Sequence, residues 1–201
     1  MSCKVGILGG TFDPIHIGHL VMASFALDEF NLDKVIFVPN GNPPHKMAKS
    51  HRMHRLDMTK IVTSYNKKFE VCDFEILKDE PSYTIDTVRH LKRDGDEIYF
   101  IIGADSFYYL ETWRNFDKLK KECYFIAFDR ISDVETSFED DIKIFNKKYD
   151  AKVLGAKMPV IDVSSTLIRQ RVKDKKSIEF LTLKEVENYI IEHNLYSEKE
   201  E

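Results

Sequence analysis

The chain has 201 residues, a length that suits one domain with a small appended element. Its hydrophobic content of 43% and charged content of 32% are typical of a globular protein with a sizeable core. The formal net charge of −4 argues against nucleic acid as the main partner, and no apolar run approaches the ~20 residues that a membrane-spanning helix needs. No signal peptide precedes the first apolar run, so we expect a cytoplasmic protein without membrane contact.

Short apolar runs alternate with amphipathic segments along the chain. The runs predict strands at Lys4–Leu8, Val35–Val38, Glu70–Asp73, Ile98–Ile102, Tyr124–Phe128 and the shorter Val153–Leu154. The other segments predict helices at His16–Phe30, Met53–Tyr65, Thr84–Asp94, Val134–Lys147, Ser165–Lys173 and Leu183–His193. This alternation indicates an α/β fold: a Rossmann-like, doubly wound, mainly parallel sheet with helices on both faces. We expect residues 1–201 to form one domain, with a small C-terminal phosphate-binding and helical element over about 160–196.

The three cysteines, Cys3, Cys72 and Cys123, are widely separated, and each lies in an apolar, strand-like run. This pattern predicts reduced, buried thiols rather than disulfides or a metal site.

A glycine-rich segment connects the first predicted strand with the first predicted helix. It reads Gly9-Gly10-Thr11-Phe12-Asp13-Pro14-Ile15-His16-Ile17-Gly18-His19. A glycine-rich turn in this position directs backbone N–H groups and the positive end of the helix to one point, which favours phosphate. The spacing of His16 and His19 predicts that both lie on one face of the helix, about one turn apart. Histidines that only decorate a helix are the alternative, but the pair in this context favours a site that holds a triphosphate.

Other positions allow both a structural and a functional interpretation. Ser164-Ser165-Thr166 is a helix N-cap signature, and these residues with Arg169 could also hold the β- and γ-phosphates. Asp105 could cap a helix or hold ribose hydroxyls beyond the carboxyl end of a strand. Lys46, in the proline-interrupted loop Asn40–Ser50, could be solvated or could neutralise phosphate. The single tryptophan, Trp113, suits a partly buried core position.

Together these segments resemble the nucleotidyltransferase superfamily with the His-x-Gly-His motif, and within it the bacterial nicotinate-mononucleotide adenylyltransferases. The resemblance extends over nearly the whole chain. It rests on Gly9–Leu20, Val38–Asn40 with Pro43–Lys46, Pro81–Thr87, Ile102–Ser106 with Trp113, Val163–Arg169, and Tyr189–Ile190 with Leu195–Tyr196.

The resemblance implies that the chain transfers the adenylyl group of ATP to nicotinate mononucleotide and releases pyrophosphate. The residues that it implies for ATP are Gly9, Gly10, Thr11, Phe12, His16, His19, Gly103, Asp105, Ser164, Ser165, Thr166 and Arg169. Gly103 and Asp105 would contact the adenosine ribose. The residues that it implies for the mononucleotide are Asn40, Lys46, Tyr83, Thr84 and Trp113. Trp113 would stack on the pyridine ring, and the segment Ser82–Thr84 would offer backbone donors to the nicotinate carboxylate.

The attacking phosphate oxygen is already ionised at neutral pH, so this reaction needs neither a general base nor a covalent intermediate. Catalysis would come from in-line positioning and from charge stabilisation, for which we expect His16, His19, Lys46 and Arg169. Mg²⁺ is expected to arrive with ATP rather than in a dedicated protein site.

The chain departs from the family where Arg130 is followed by Ile131-Ser132-Asp133 instead of an Arg-Pro-Gly-like turn, so Arg130 has no firm assignment. The segment Lys46–Ser50 also looks like the lysine signature of class I aminoacyl-tRNA synthetases, but the chain has no room for their tRNA-binding region. The alternatives are phosphopantetheine adenylyltransferase, cytidylyltransferase, nicotinamide mononucleotide as the substrate, and a nucleotide-binding regulator without catalysis. The expected partners are small molecules, and an exposed apolar edge would allow a homo-oligomer.

Overall fold

The computed structural model describes residues 2–41, 48–130 and 138–197. Within these residues one sheet contains six strands: β1 Lys4–Gly10, β2 Lys34–Pro39, β3 Phe69–Val71, β4 Glu97–Gly103, β5 Tyr124–Arg130 and β6 Val153–Met158. Their order is β3-β2-β1-β4-β5-β6, so the sequence order reverses at the pair β1 and β4. This is the order of a doubly wound sheet, and the prediction of a Rossmann-like α/β fold is confirmed.

Strand β4 lies at the centre of the parallel part of the sheet. It pairs in parallel with β1, where Ile7 is opposite Phe100, and with β5, where Ile101 is opposite Ile126. Strand β5 in turn pairs in parallel with β6. Residues Ile98–Ile102 are all buried, which explains why this run is continuously apolar rather than alternating.

The described helices are α1 Ile17–Glu29, α2 Arg52–Thr63, α3 Thr84–Leu91, α4 Ala104–Phe107, α5 Phe116–Glu122, α6 Phe138–Tyr149, α7 Ser165–Lys173 and α8 Lys184–Glu192, with a 3₁₀ turn at Leu110–Thr112. All six predicted helices are present. The start predicted for α6 lies outside the described residues. The helices α4 and α5 and the 3₁₀ turn were not predicted, because elements of one or two turns leave no readable apolar period.

The chain packs as two compact units. One combines Met1–Gly9, Met22–Ile36 and Tyr83–Val160, and the other combines Gly10–Val21, Phe37–Ser82 and Ile161–Glu201. The first has an aromatic core in which the ring of Phe107 packs against Phe138 and Phe145 at 5.3 and 5.1 Å between centroids. The expectation of one domain over residues 1–201 stays a prediction.

The cysteines are free thiols, and their burial differs from the prediction. Cys123 is buried, whereas Cys3 and Cys72 are partly exposed, so the prediction of burial is wrong for these two. Burial raises the pKa of the Cys123 thiol to about 12, and the group is therefore not a nucleophile at neutral pH. None of the described helices is long and apolar enough to cross a membrane.

Candidate active site

Residues 10–19, the histidine turn, run from the last residue of β1 into the first turn of α1. Phe12 in this turn is buried, and its backbone has a φ of 49°, in the left-handed region that a bulky residue rarely adopts. Its ring lies over Gly10, where a Cβ atom would be 2.6 Å from Cε1 of Phe12. Glycine is required at position 10 because the phenyl ring occupies the space of a side chain. The same ring packs edge-on against His19, 4.9 Å between centroids.

His16 and His19 lie with their rings in contact, at 3.8 Å between centroids and 35° between planes. Helix α1 begins at Ile17, so the prediction that both histidines lie on the helix is wrong for His16, which precedes it. The backbone N–H of His16 donates to Nδ1 of His19 at 3.2 Å. A neutral His19 that accepts at Nδ1 carries its proton on Nε2, so that Nε2 is the donor atom of this ring.

The His16 side chain is buried, with 8% of its surface exposed. Its Nδ1 atom has no hydrogen-bond partner in the part of the chain that the structure describes. Burial lowers its pKa from 6.5 to about 4, because the charged ring would lose its hydration. His16 is therefore neutral at pH 7.

Asp13 is a buried carboxylate in the histidine turn, 3% exposed. It accepts hydrogen bonds from the backbone N–H of Lys49 at 2.6 Å and of Ser50 at 3.3 Å, and from the Ser50 hydroxyl at 2.5 Å. The hydroxyl of Tyr196 donates to it at 2.7 Å. No role was predicted for Asp13 or Tyr196, because nothing local in the sequence pairs two residues so far apart.

Helix α7 begins with the cap that the sequence predicted. The Ser164 hydroxyl accepts the backbone N–H of Leu167 at 3.1 Å, so the N-cap interpretation is confirmed. Arg169, one turn later, donates to the backbone carbonyl of Asp13 at 2.6 Å and to the Thr166 hydroxyl at 3.0 Å. The phosphate roles of these residues stay predictions.

Two further hydroxyls bond to the histidine turn. Ser165 donates to the carbonyl of Pro14 at 2.8 Å, and the buried Thr182 donates to the carbonyl of Ile15 at 2.9 Å. Thr182 was not expected from the sequence. The histidine turn is thus fixed at successive backbone carbonyls by side chains from late in the chain.

Arg55 is a buried arginine that the sequence analysis missed. Its guanidinium donates to the carbonyls of Thr11 and Gly41 at 2.8 and 2.9 Å, and also to that of Asn40. The backbone N–H of Asn40 donates in turn to the carbonyl of Gly10 at 2.9 Å. A signal was available, because Arg55 lies three and four residues from positions on the buried face of α2, where a charged side chain needs a specific partner.

In the other unit, Gly103 ends β4 and Asp105 lies in the short helix α4. Gly103 has an ordinary φ of −83°, and a Cβ atom there would come no closer than 4.0 Å to the Met22 side chain. Neither strain nor crowding by described residues explains a glycine at this position. Asp105 is exposed in the first turn of α4, whose N-cap residue is Gly103, so the capping interpretation is wrong; the ribose-binding interpretation stays a prediction. Gly9, in the same unit, would bring a Cβ atom to 3.2 Å from the Phe100 ring.

Trp113 and Tyr83 also lie in this unit. Trp113 is partly exposed, and its ring stands at 89° to that of Phe100, with 5.7 Å between the centroids. Tyr83 is the N-cap residue of α3, Thr84 is the first residue of that helix, and Arg114 lies 4.1 Å over the Tyr83 ring.

One residue and one segment singled out in the sequence are not placed. Lys46 lies outside the described residues, as does the segment 131–137 that follows Arg130. Arg130 itself is the end residue of β5. Their roles stay as the sequence analysis left them.

Comparison with known proteins agrees with this arrangement. Residues 7–171 match the family described as "Cytidylyltransferase-like". A protein of Thermoanaerobacter sp. (strain X514) named "Probable nicotinate-nucleotide adenylyltransferase" is 41% identical, over 98% of this chain and 96% of its own. A protein of the same name from Moorella thermoacetica (strain ATCC 39073 / JCM 9320) is 43% identical, over 96% of this chain and 91% of its own.

Solved structures share the fold. Nicotinic acid mononucleotide adenylyltransferase of Plasmodium falciparum, solved in complex with NaAD, has a TM-score of 0.79 and 22% identity over 96% of this chain and 97% of its own. The same enzyme in complex with APC gives a TM-score of 0.75. The solved structures show that the chain shares the fold of these enzymes. The identity of 41 to 43% over nearly the whole chain shows the family. The chain belongs to the cytidylyltransferase-like family and, within it, to the nicotinate-nucleotide adenylyltransferases.

Proposed function

We infer that this chain transfers the adenylyl group of ATP to nicotinate mononucleotide, giving nicotinate adenine dinucleotide and pyrophosphate in NAD biosynthesis. The observation that carries this conclusion is the contacting pair His16 and His19 at the start of α1, in a chain 41% identical to a nicotinate-nucleotide adenylyltransferase over almost its full length. An oxygen of the mononucleotide phosphate forms a bond to the α-phosphorus of ATP. The bond from that phosphorus to the bridging oxygen breaks, and its electron pair leaves with pyrophosphate.

The histidine turn supports this chemistry. The N-terminus of α1 presents backbone N–H groups and a positive dipole end, which suit an anion. His19 carries its donor proton on Nε2 when neutral, and we assign it to the α-phosphate region, where charge accumulates during transfer. His16, neutral, buried and in contact with the His19 ring, we assign to the same phosphate.

The remaining charge of the triphosphate we assign to Lys46, Arg169 and the start of α7. The first N–H groups of α7 have no acceptor within the helix, which favours phosphate oxygens there. The Arg169 side chain already bonds to the carbonyl of Asp13, so it would bring its cationic charge to the histidine turn. Ser164, Ser165 and Thr166 belong to the same proposal.

In the other unit we assign Gly103 and Asp105 to the ribose of ATP. The exposed Asp105 carboxylate after β4 is the group that holds ribose hydroxyls in sheets of this type. The partly exposed Trp113 we assign to the pyridine ring, and the N–H groups at the start of α3 near Tyr83 and Thr84 to the nicotinate carboxylate.

Mg²⁺ is proposed to enter bound to the phosphates of ATP. Magnesium usually keeps several waters and contacts substrate phosphates rather than a closed protein cage. Among the described residues no group of three or more His, Cys, Asp or Glu side chains could hold a metal ion, so none is assigned as a ligand.

The test is pyrophosphate release with ATP, Mg²⁺ and one acceptor at a time: nicotinate mononucleotide, nicotinamide mononucleotide or phosphopantetheine. We expect release that depends on nicotinate mononucleotide. The His19→Ala variant should lower kcat roughly 10²-fold, the scale of losing one transition-state donor, with an unchanged circular dichroism spectrum. Release with phosphopantetheine alone would contradict the substrate assignment, and ATP binding without release would favour a regulator.

Cytoplasmic location, the lack of a nucleic-acid partner and the possibility of a homo-oligomer stay predictions. Size-exclusion chromatography with light scattering at micromolar concentration measures the last of these directly.

A further inference from the structure

Four backbone groups of the histidine turn are bonded to residues from late in the chain. The contacts are Arg169 Nη1 to the Asp13 carbonyl at 2.6 Å, Ser165 Oγ to the Pro14 carbonyl at 2.8 Å, Thr182 Oγ1 to the Ile15 carbonyl at 2.9 Å, and Ile17 N to the Leu181 carbonyl at 3.0 Å. His16 lies between the third and the fourth of these bonds. The path of the backbone through His16 is therefore set from outside the turn.

The side chain of Asp13 adds a second set of contacts at the same place. Its carboxylate accepts two backbone N–H groups and one hydroxyl from Lys49 and Ser50, and one hydroxyl from Tyr196. The Tyr196 hydroxyl also lies 3.3 Å from the Ser50 hydroxyl. One carboxylate thus joins the histidine turn, the segment before α2 and the residues after α8.

The charge of Asp13 has a partner in this unit. The buried Arg55 guanidinium interacts electrostatically with Asp13, and its three hydrogen bonds go to backbone carbonyls, including that of Thr11. A buried carboxylate is tolerated when hydrogen bonds and an opposite charge compensate its lost hydration. Removing one hydrogen-bond donor to Asp13 therefore leaves its buried charge less well compensated.

The backbone of Tyr196 is in the left-handed region, with a φ of 64°. Asn194 nearby is also left-handed, but asparagine adopts this region readily and tyrosine does not. A left-handed tyrosine persists only where tertiary contacts compensate for the strain. Burial and the Asp13 charge also raise the pKa of the Tyr196 phenol well above its usual range, so the hydroxyl is a proton donor at any physiological pH.

We propose that Tyr196 is a positioning residue for adenylyl transfer, acting through the Asp13 carboxylate on the histidine turn and so on His16 and His19. The proposal rests on the function inferred above. The Tyr196 hydroxyl bonds to Asp13 and Ser50, and we assign it no direct contact with substrate. Its hydroxyl fixes the carboxylate, the carboxylate fixes residues 12–14, and their backbone fixes the place of the two rings.

The variant Tyr196→Phe keeps the ring and removes the hydroxyl. We expect kcat with ATP and nicotinate mononucleotide to fall about tenfold, less than the roughly 10²-fold cost of a 1 Å misplacement, with both KM values changed less than about twofold. Ser50→Ala removes another donor to the same carboxylate. Because both variants act through Asp13, their effects on kcat should not multiply in the double variant.

Tyr189→Phe is the matched control. The Tyr189 hydroxyl also bonds to a carboxylate and a histidine, Asp57 at 3.3 Å and His54 at 3.0 Å, within the same unit. Losing that hydroxyl should lower the melting temperature, as in Tyr196→Phe, but should leave kcat unchanged. All variants are assayed at a temperature where circular dichroism shows them fully folded.

The imidazole NMR signals of His16 and His19 give a readout that does not depend on turnover. We expect them to shift in Tyr196→Phe and not in Tyr189→Phe. If wild-type protein gives no product, the proposed function fails, and shifted signals would then show only that the Tyr196 hydroxyl sets the environment of the two rings. Unmoved signals together with an unchanged kcat in an active enzyme would overturn the proposal.

Discussion

The neutral, buried His16 makes the stability of the fold depend on pH in a way that can be worked out. A pKa lowered from 6.5 to about 4 corresponds to about 3 kcal/mol in the limit of low pH. Below pH 6.5 the unfolded chain binds a proton at His16 that the folded chain does not bind. The free energy of unfolding therefore falls as pH falls, and this contribution is complete only below about pH 4. Between pH 7.5 and pH 5 the loss from His16 alone is about 2 kcal/mol.

The assay is urea unfolding at pH 7.5 and pH 5 for wild type, His16→Gln and His90→Gln. Other titrating groups are common to the proteins and cancel in the comparison, so the wild type should lose about 2 kcal/mol more than His16→Gln. His90 is exposed, and its variant should follow the wild type. Direct NMR titration of the His16 ring in wild type covers the case in which His16→Gln does not fold. Equal losses in wild type and His16→Gln, or a ring that titrates near pH 6.5, would refute the assignment of a neutral buried histidine.

Two predictions concern other residues. Trp113→Ala should raise KM for nicotinate mononucleotide and leave that for ATP nearly unchanged, as steady-state kinetics with each substrate varied will show; equal weakening toward both would place Trp113 elsewhere. Arg55→Met should lower the free energy of unfolding by about 3 kcal/mol in urea, because it leaves buried carbonyls, among them those of Thr11 and Gly41, without donors. A loss below about 1 kcal/mol would mean that these carbonyls find water or other donors.

The parts of the site that depend on neighbouring residues were predictable from the sequence. The glycine-rich segment after an apolar run predicted the order strand, turn and helix, and Ser164 predicted the start of α7 to the residue. The error at His16 has a physical reason. A residue at the N-terminal edge of a helix has a non-helical backbone although its carbonyl already accepts a helical bond, here from the N–H of His19 at 2.9 Å. Spacing alone does not separate that position from the first turn.

The parts that depend on distant residues were not predictable in the same way. Arg55 could be recognised only as an arginine near the buried positions of a helix. Its carbonyl partners at Thr11 and Gly41 are 44 and 14 residues away, and nothing local in the sequence identifies them. The partnership of Asp13 with Tyr196 has no local signature, since either residue alone suits many environments. The resemblance to a family identified the segments that contain Asp13 and Tyr196, but it did not indicate that these two residues bond to each other.

The bonds to the histidine turn join positions that are far apart along the chain. Pro14 and Ser165 are 151 residues apart, Ile15 and Thr182 are 167 apart, and Asp13 and Tyr196 are 183 apart. Contacts between residues so far apart in sequence form late in folding, because a long loop must close before they can form. During synthesis the histidines leave the ribosome early and stay without these supports until residue 196 has emerged. Catalytic competence should therefore appear only after residue 196 has emerged, and a nascent chain stalled near residue 160 would contain both histidines but not the supports that place them.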